Sequence, residues 1–102
     1  MSITICGYDF EGPYSSPSCL DSKAGVYTIL DKKSNGNYDI VDVGESGNVK
    51  DRVENHDRKD CWKRHASEIW YAAYYTLGWT ADQRRALEKK IRDEYDPPCG
   101  KQ

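Results

Sequence analysis

Apolar and polar positions alternate between two periods along this chain, and the switch between them marks the elements. Gly25 to Leu30, "GVYTIL", is an unbroken β-branched and aromatic run, which predicts a strand. "DKKSNGN" then reads as a hairpin turn, because Asn35-Gly36 accepts the positive φ such a connection needs. "YDIVDVG" predicts a second strand, antiparallel to the first, and its mixed alternation suits a central strand covered on both faces. From Ser46 to Lys59 the period lengthens. Val49, Val53 and His56 recur at helical spacing, which predicts a helix with Arg52 and His56 one turn apart on one side. "RKDCWKRH" follows as a turn or short helix, and "EIWYAAYYTL" as a third strand. Thr80 and Gln83 form a capping box for a last helix whose apolar stripe is Leu87, Ile91 and Tyr95. Pro97-Pro98 ends it.

The order β-β-α-(α)-β-α predicts a small α/β (α+β) domain with a three-stranded, mostly antiparallel sheet flanked by helices. Residues 1–24 are rich in Gly, Pro and Ser and are expected to be an irregular N-terminal arm, packing Tyr8, Phe10 and Tyr14 against the domain formed by 25–102. At 102 residues the chain suffices for one modest core.

Composition narrows the picture. Charged residues at 31% and aromatics at 12% belong to a folded chain, not a disordered one. No apolar run reaches the roughly 20 residues of a membrane helix, and the N-terminus lacks a signal-peptide pattern, so a cytoplasmic protein without membrane association is expected. The four cysteines are then expected to be reduced thiols. Cys61 and His65 are four apart, but zinc needs about four ligands and Cys99 is the one obvious addition. Net charge is −2, which does not suit a broad nucleic-acid-coating surface. It is uneven, however: residues 1–49 carry 3 basic and 7 acidic groups, residues 50–102 carry 12 and 10. A local basic patch in the second half fits that imbalance.

A guanidinium and an imidazole presented together, as Arg52 and His56 are, would suit a phosphodiester site or an ordinary solvated helix. The surrounding residues decide. Gly25-Val26-Tyr27 and Asp42-Val43-Gly44 resemble the two halves of the signature of GIY-YIG endonucleases. Arg52 and His56 match that family's arginine and the histidine four residues on. His65 falls where some members carry a further histidine, and Glu88 matches the glutamate of the late helix. The likeness spans residues 25–100.

The resemblance implies cleavage of phosphodiester bonds with a divalent metal, Mg²⁺ or Mn²⁺, on DNA, with RNA as the alternative. Glu88 would hold the metal, Arg52 would fork onto phosphate oxygens, Tyr27 would act as the base and His56 would orient it or shuttle a proton. Gly44, Lys50, His65 and Arg84 would contact nucleic acid. Specificity would come from nucleic-acid structure, a homodimer or a partner protein. Two departures qualify this. Asp42 stands where the signature has its second tyrosine, and is expected to be a second metal ligand or a stronger base. Gly100 stands where the family's closing segment ends in asparagine. Both leave room for a catalytically impaired nucleic-acid-binding or protein-interaction module on the same fold.

Overall fold

The computed structural model describes residues 2–100. Five strands form one antiparallel sheet: β1 Ser2–Ile5, β2 Tyr8–Tyr14, β3 Gly25–Lys32, β4 Tyr38–Ser46 and β5 Ile69–Tyr75. Their spatial order is β1-β2-β5-β3-β4. Three helices cover it: α1 Val49–Glu54, α2 Lys59–His65 and α3 Ala81–Tyr95.

Two strands more than expected come from the N-terminal segment. β1 and β2 pair in register, Ser2 opposite Glu11 through Ile5 opposite Tyr8, and Phe10 is completely buried. Gly12 and Pro13 had pointed to irregular chain. They sit instead between Glu11 and Tyr14, where the pairing of β2 with β5 shifts register, so their effect is local.

The sheet is covered on both faces, which explains the nearly continuous apolar sequence of β3. Tyr27 and Ile29 face α1 and α2, with Val49, Val53 and Trp62. Val26 and Leu30 face α3, with Leu87 and Ile91. β3 is the central strand, paired with β4 from Gly25↔Ser46 onward and with β5 from Gly25↔Tyr75 onward. β4 was expected to be central and lies at the sheet edge instead. Its outer edge is covered, not bare. Cys99 N–H donates to Val41 O at 3.0 Å, and the Arg92 guanidinium donates to Val43 O. The chain after α3 therefore shields an edge that would otherwise expose unpaired backbone groups.

Two further expectations change. The helix read from Ser46 to Lys59 is broken in two. α1 ends at Glu54, where the Asn55 side chain turns back to Asp51 O at 3.0 Å, and His56 lies in the break. The wrap around β4 also brings Cys99 onto α2, where it forms a disulfide with Cys61 across 38 residues of sequence. Cys6 and Cys19 are free. The capping box of α3 forms as expected, Thr80 Oγ1 and Gln83 each serving the other's backbone N–H.

Candidate functional site

Tyr27 lies opposite Gly44 in the β3–β4 ladder. Its ring crosses directly over that glycine. A Cβ on Gly44 would stand 2.2 Å from Tyr27 Oη and 2.4 Å from Cζ, so no other residue fits while the ring stays there. β4 continues past Gly44 to Ser46. Gly44 is thus explained by the tyrosine ring rather than by a ligand approaching the backbone.

His56, set in the break between helices, meets the phenol edge-on, with Nε2 2.8 Å from Tyr27 Oη. The Arg58 backbone N–H donates to His56 Nδ1 at 3.0 Å. A neutral imidazole so engaged carries its proton on Nε2 and donates it to the tyrosine oxygen. Burial, then the charges of Arg52 and Arg58, push the His56 pKa down to about 4. Burial pushes Tyr27 up to about 12, opposed first by Arg52. Both groups are therefore neutral at pH 7. Arg52 is partly exposed on α1, its Nη2 3.3 Å from Asp57 Oδ1. The same carboxylate oxygen is 3.3 Å from His56 Nδ1.

Asp42 is 0% exposed. It faces the α1–α2 side of the sheet beside Trp62, whose Nε1–H donates to Oδ2 at 2.8 Å. Arg58 Nε donates to the same oxygen at 2.8 Å, and its Nη2 approaches Oδ1 at 3.4 Å. Arg92 Nη2 reaches Oδ1 at 3.1 Å, and Val43 N–H donates there at 2.8 Å. Five donors converge on two oxygens. This is the environment of a buried counter-ion, not of a ligand or base open to a substrate.

Glu88 lies one turn before Arg92 on α3, its Oε2 3.5 Å from the Arg92 guanidinium. It borders a cleft of about 490 Å³ shared with Arg58, Arg92 and Gly100. Burial raises its pKa, opposed first by Arg92. Its charge acts on Tyr27, as do those of Arg52, Asp42 and Arg58. The structure thus gathers Tyr27, Arg52, His56, Asp42 and Glu88 into one electrostatic neighbourhood. Sequence reading passed over Arg58 and Arg92. Their one visible signal was a surplus of arginine in the second half.

No protein-family model and no curated protein matches the sequence. Solved structures do match. The GIY-YIG N-terminal endonuclease domain of UvrC from Thermotoga maritima, crystallised as point mutants bound to its catalytic divalent cation, superimposes with TM-scores of 0.61, 0.59 and 0.57. Identity is 13–14%, and the match covers 84% of this chain and 91% of that one.

The fold is GIY-YIG-like.

Within the GIY-YIG-like fold, two of the residues expected to touch nucleic acid, Arg84 and His65, are already engaged or lie beside the disulfide. Arg84 is largely covered and donates to Glu45 Oε2 at 3.0 Å and to Trp79 O. His65 ends α2 on the disulfide side, its ring nitrogen within 4.8 Å of the sulfurs of Cys61 and Cys99. Those two sulfurs are bonded to each other, which removes them as zinc ligands. Lys50 lies on α1, its backbone N–H on Asp21 O. Gly100 has φ +80, and a Cβ there would stand 2.9 Å from the Arg92 guanidinium nitrogens and 3.0 Å from Asp42 Oδ1. The Asp42–Arg92 pair therefore fills the space that an asparagine side chain would enter.

Among the described residues no helix is long and apolar enough to cross a membrane. As a cation site, the group offers one carboxylate, Glu88, that is not donor-saturated. Glu45 acts on it electrostatically but is tied to Arg84 and Arg85. A single hard oxygen ligand at a cleft fits a divalent ion that keeps several of its waters, as Mg²⁺ does.

Proposed function

We propose that this protein is a divalent-metal-dependent nuclease that hydrolyses phosphodiester bonds, with DNA as the first substrate to test and RNA as the second. The observation that supports this reading is the hydrogen-bonded Tyr27–His56 pair, within electrostatic reach of Arg52 and Glu88, on a GIY-YIG-like fold, the fold of a domain solved with a catalytic divalent cation. Glu88 would hold the cation. Bound there, Mg²⁺ or Mn²⁺ would neutralise charge on the phosphate and its leaving oxygen.

The chain's own residues would supply the rest. Arg52, released from the exposed Asp57 (a contact of little intrinsic strength), would bind phosphate oxygens through two N–H groups. Tyr27 would accept the proton of the attacking water. Before that step Tyr27 would lose its own proton to solvent, and His56, its proton on Nε2, would donate to the resulting phenolate oxygen and hold it in place. This arrangement asks Tyr27 to ionise from a pKa of about 12, so the added positive charge of the loaded site is part of the design.

The test is nicking of supercoiled plasmid, and cutting of single-stranded DNA and RNA, by wild type and Glu88→Gln with Mg²⁺ or Mn²⁺. Cleavage that disappears in the variant and with chelator supports the reading. Metal-dependent cleavage retained in full by Glu88→Gln overturns it. A second reading, a nucleic-acid-binding module without catalysis, draws on two specific observations. Tyr27 is 2% exposed, and Asp42 is closed in by donors. Salt-sensitive binding without cleavage of any of these substrates would favour it.

A further inference from the structure

Asp42 holds two arginines, and the Arg92 guanidinium is shared further with Glu88 Oε2 at 3.5 Å. The other cations of the cleft wall are paired as well, Lys89 with Asp93 and Arg85 with Asp82 and Glu45.

Arg58 differs from these in being engaged along one edge only. Its side chain is 31% exposed, whereas Asp42 behind it is 0% exposed. Nε and Nη2 are occupied by the carboxylate. Among the described residues, Nη1 has no acceptor. The guanidinium plane is therefore fixed along one edge and open along the other, the half-engaged geometry that suits an incoming phosphate. Its charge reaches Tyr27, His56 and Glu88 alike, lowering the pKa of each. Its backbone N–H separately fixes the His56 tautomer, a contact that side-chain substitution leaves alone.

We propose that Asp42 and Arg58 together serve the position where the signature has its second tyrosine: Asp42 is a buried positioning anion, and Arg58, aimed by it, binds a non-bridging oxygen of the phosphodiester being cut. The inference rests on the nuclease reading for its substrate, and on the Asp42 geometry for the residue. It accounts for Asp42 as a working substitution rather than a lesion.

The experiment uses the full chain as wild type, Arg58→Ala, Arg58→Lys, Asp42→Asn and Asp42→Asn/Arg58→Ala, each checked for folding by circular dichroism. Arg58→Lys keeps a cation against Asp42 and serves should Arg58→Ala fail to fold. Two quantities are read: plasmid cleavage with Mg²⁺ or Mn²⁺, and the salt dependence of binding to a labelled DNA duplex in chelator. Arg58→Ala is expected to slow cleavage by about 10²–10³-fold, the usual effect of removing one donor from a developing anion. It should also flatten the slope of log K against log salt by about 0.9, one phosphate contact. Arg58→Lys should keep the slope and lose at least about 10-fold in cleavage, because a lysine cannot reproduce the fork. Asp42→Asn should slow cleavage, and the double variant should be no slower than Arg58→Ala alone. A purely structural Asp42 would instead give additive losses.

Glu88-dependent cleavage together with an Arg58→Ala variant that cuts and binds like wild type overturns this inference and leaves the proposed function standing. Binding whose salt slope falls in Arg58→Ala, without cleavage by any variant, overturns the catalytic reading and supports Arg58 as a phosphate contact. A slope unchanged in both Arg58 variants overturns the contact itself.

Discussion

His56 ties folding to pH with a sign and size that can be worked out. Its pKa is about 4 in the folded chain and 6.5 when free, so the fold favours the neutral imidazole. Above pH 6.5 both states hold it neutral, and its contribution is fully present. As pH falls from 6.5 to about 4 the unfolded chain takes up a proton that the folded one refuses, and stability is lost. Two and a half pKa units correspond to a loss of about 3 kcal/mol, taken as an upper value. Glu88 acts with the opposite sign in the lower part of this window, because burial raises its pKa. The measurement is therefore a difference. Urea unfolding of wild type and His56→Gln is followed from pH 8 to pH 4. Gln keeps a donor for Tyr27 Oη but does not titrate. Wild-type stability relative to the variant should be constant above pH 7 and fall by up to about 3 kcal/mol toward pH 4. A difference curve that is flat, or that rises on acidification, would show that the imidazole is not held neutral and would undo the assignment of its tautomer.

Gly44→Ala should force the Tyr27 ring from its place, since the new Cβ would lie 2.2 Å from Oη, costing about 1–3 kcal/mol in chemical denaturation; Gly47→Ala, with nothing within 4 Å, should be near neutral. Reduction of the Cys61–Cys99 bridge, or Cys61→Ser/Cys99→Ser, should destabilise the fold by about 4 kcal/mol on loop-entropy grounds for a separation of 38 residues. A melting temperature that does not change with dithiothreitol would contradict the bridge. Under the proposed mechanism the cleavage rate rises with pH, by up to about tenfold per unit, until the Tyr27 phenol of the loaded site is ionised; a profile unchanged in Tyr27→Phe would remove Tyr27 from the role.

The local signals in this chain were strong where an element carries its own punctuation. The Asn35-Gly36 turn between β-rich runs gave the β3–β4 hairpin, and the Thr80–Gln83 box gave the start of α3. The resemblance of ordered short motifs to the GIY-YIG signature pointed to Tyr27, Arg52, His56 and Glu88, while helical spacing by itself paired only Arg52 with His56. What sequence could not supply came from contacts distant along the chain. Residues 2–14 become two strands because β5, some sixty residues away, offers an edge to β2. His56 leaves its apparent helix because its ring packs on Trp62 and reaches Tyr27, which outweighs one more turn of α1. Cys61 and Cys99 meet because the C-terminal segment closes the β4 edge. Asp42 is the clearest case. By type it could have been a ligand or a base, and its role was decided by Arg58 and Trp62 from α2 and its cap and by Arg92 from α3, segments distant from it in the chain. A carboxylate's chemistry is set by the donors and the solvent around it, and those exist only once the chain has folded.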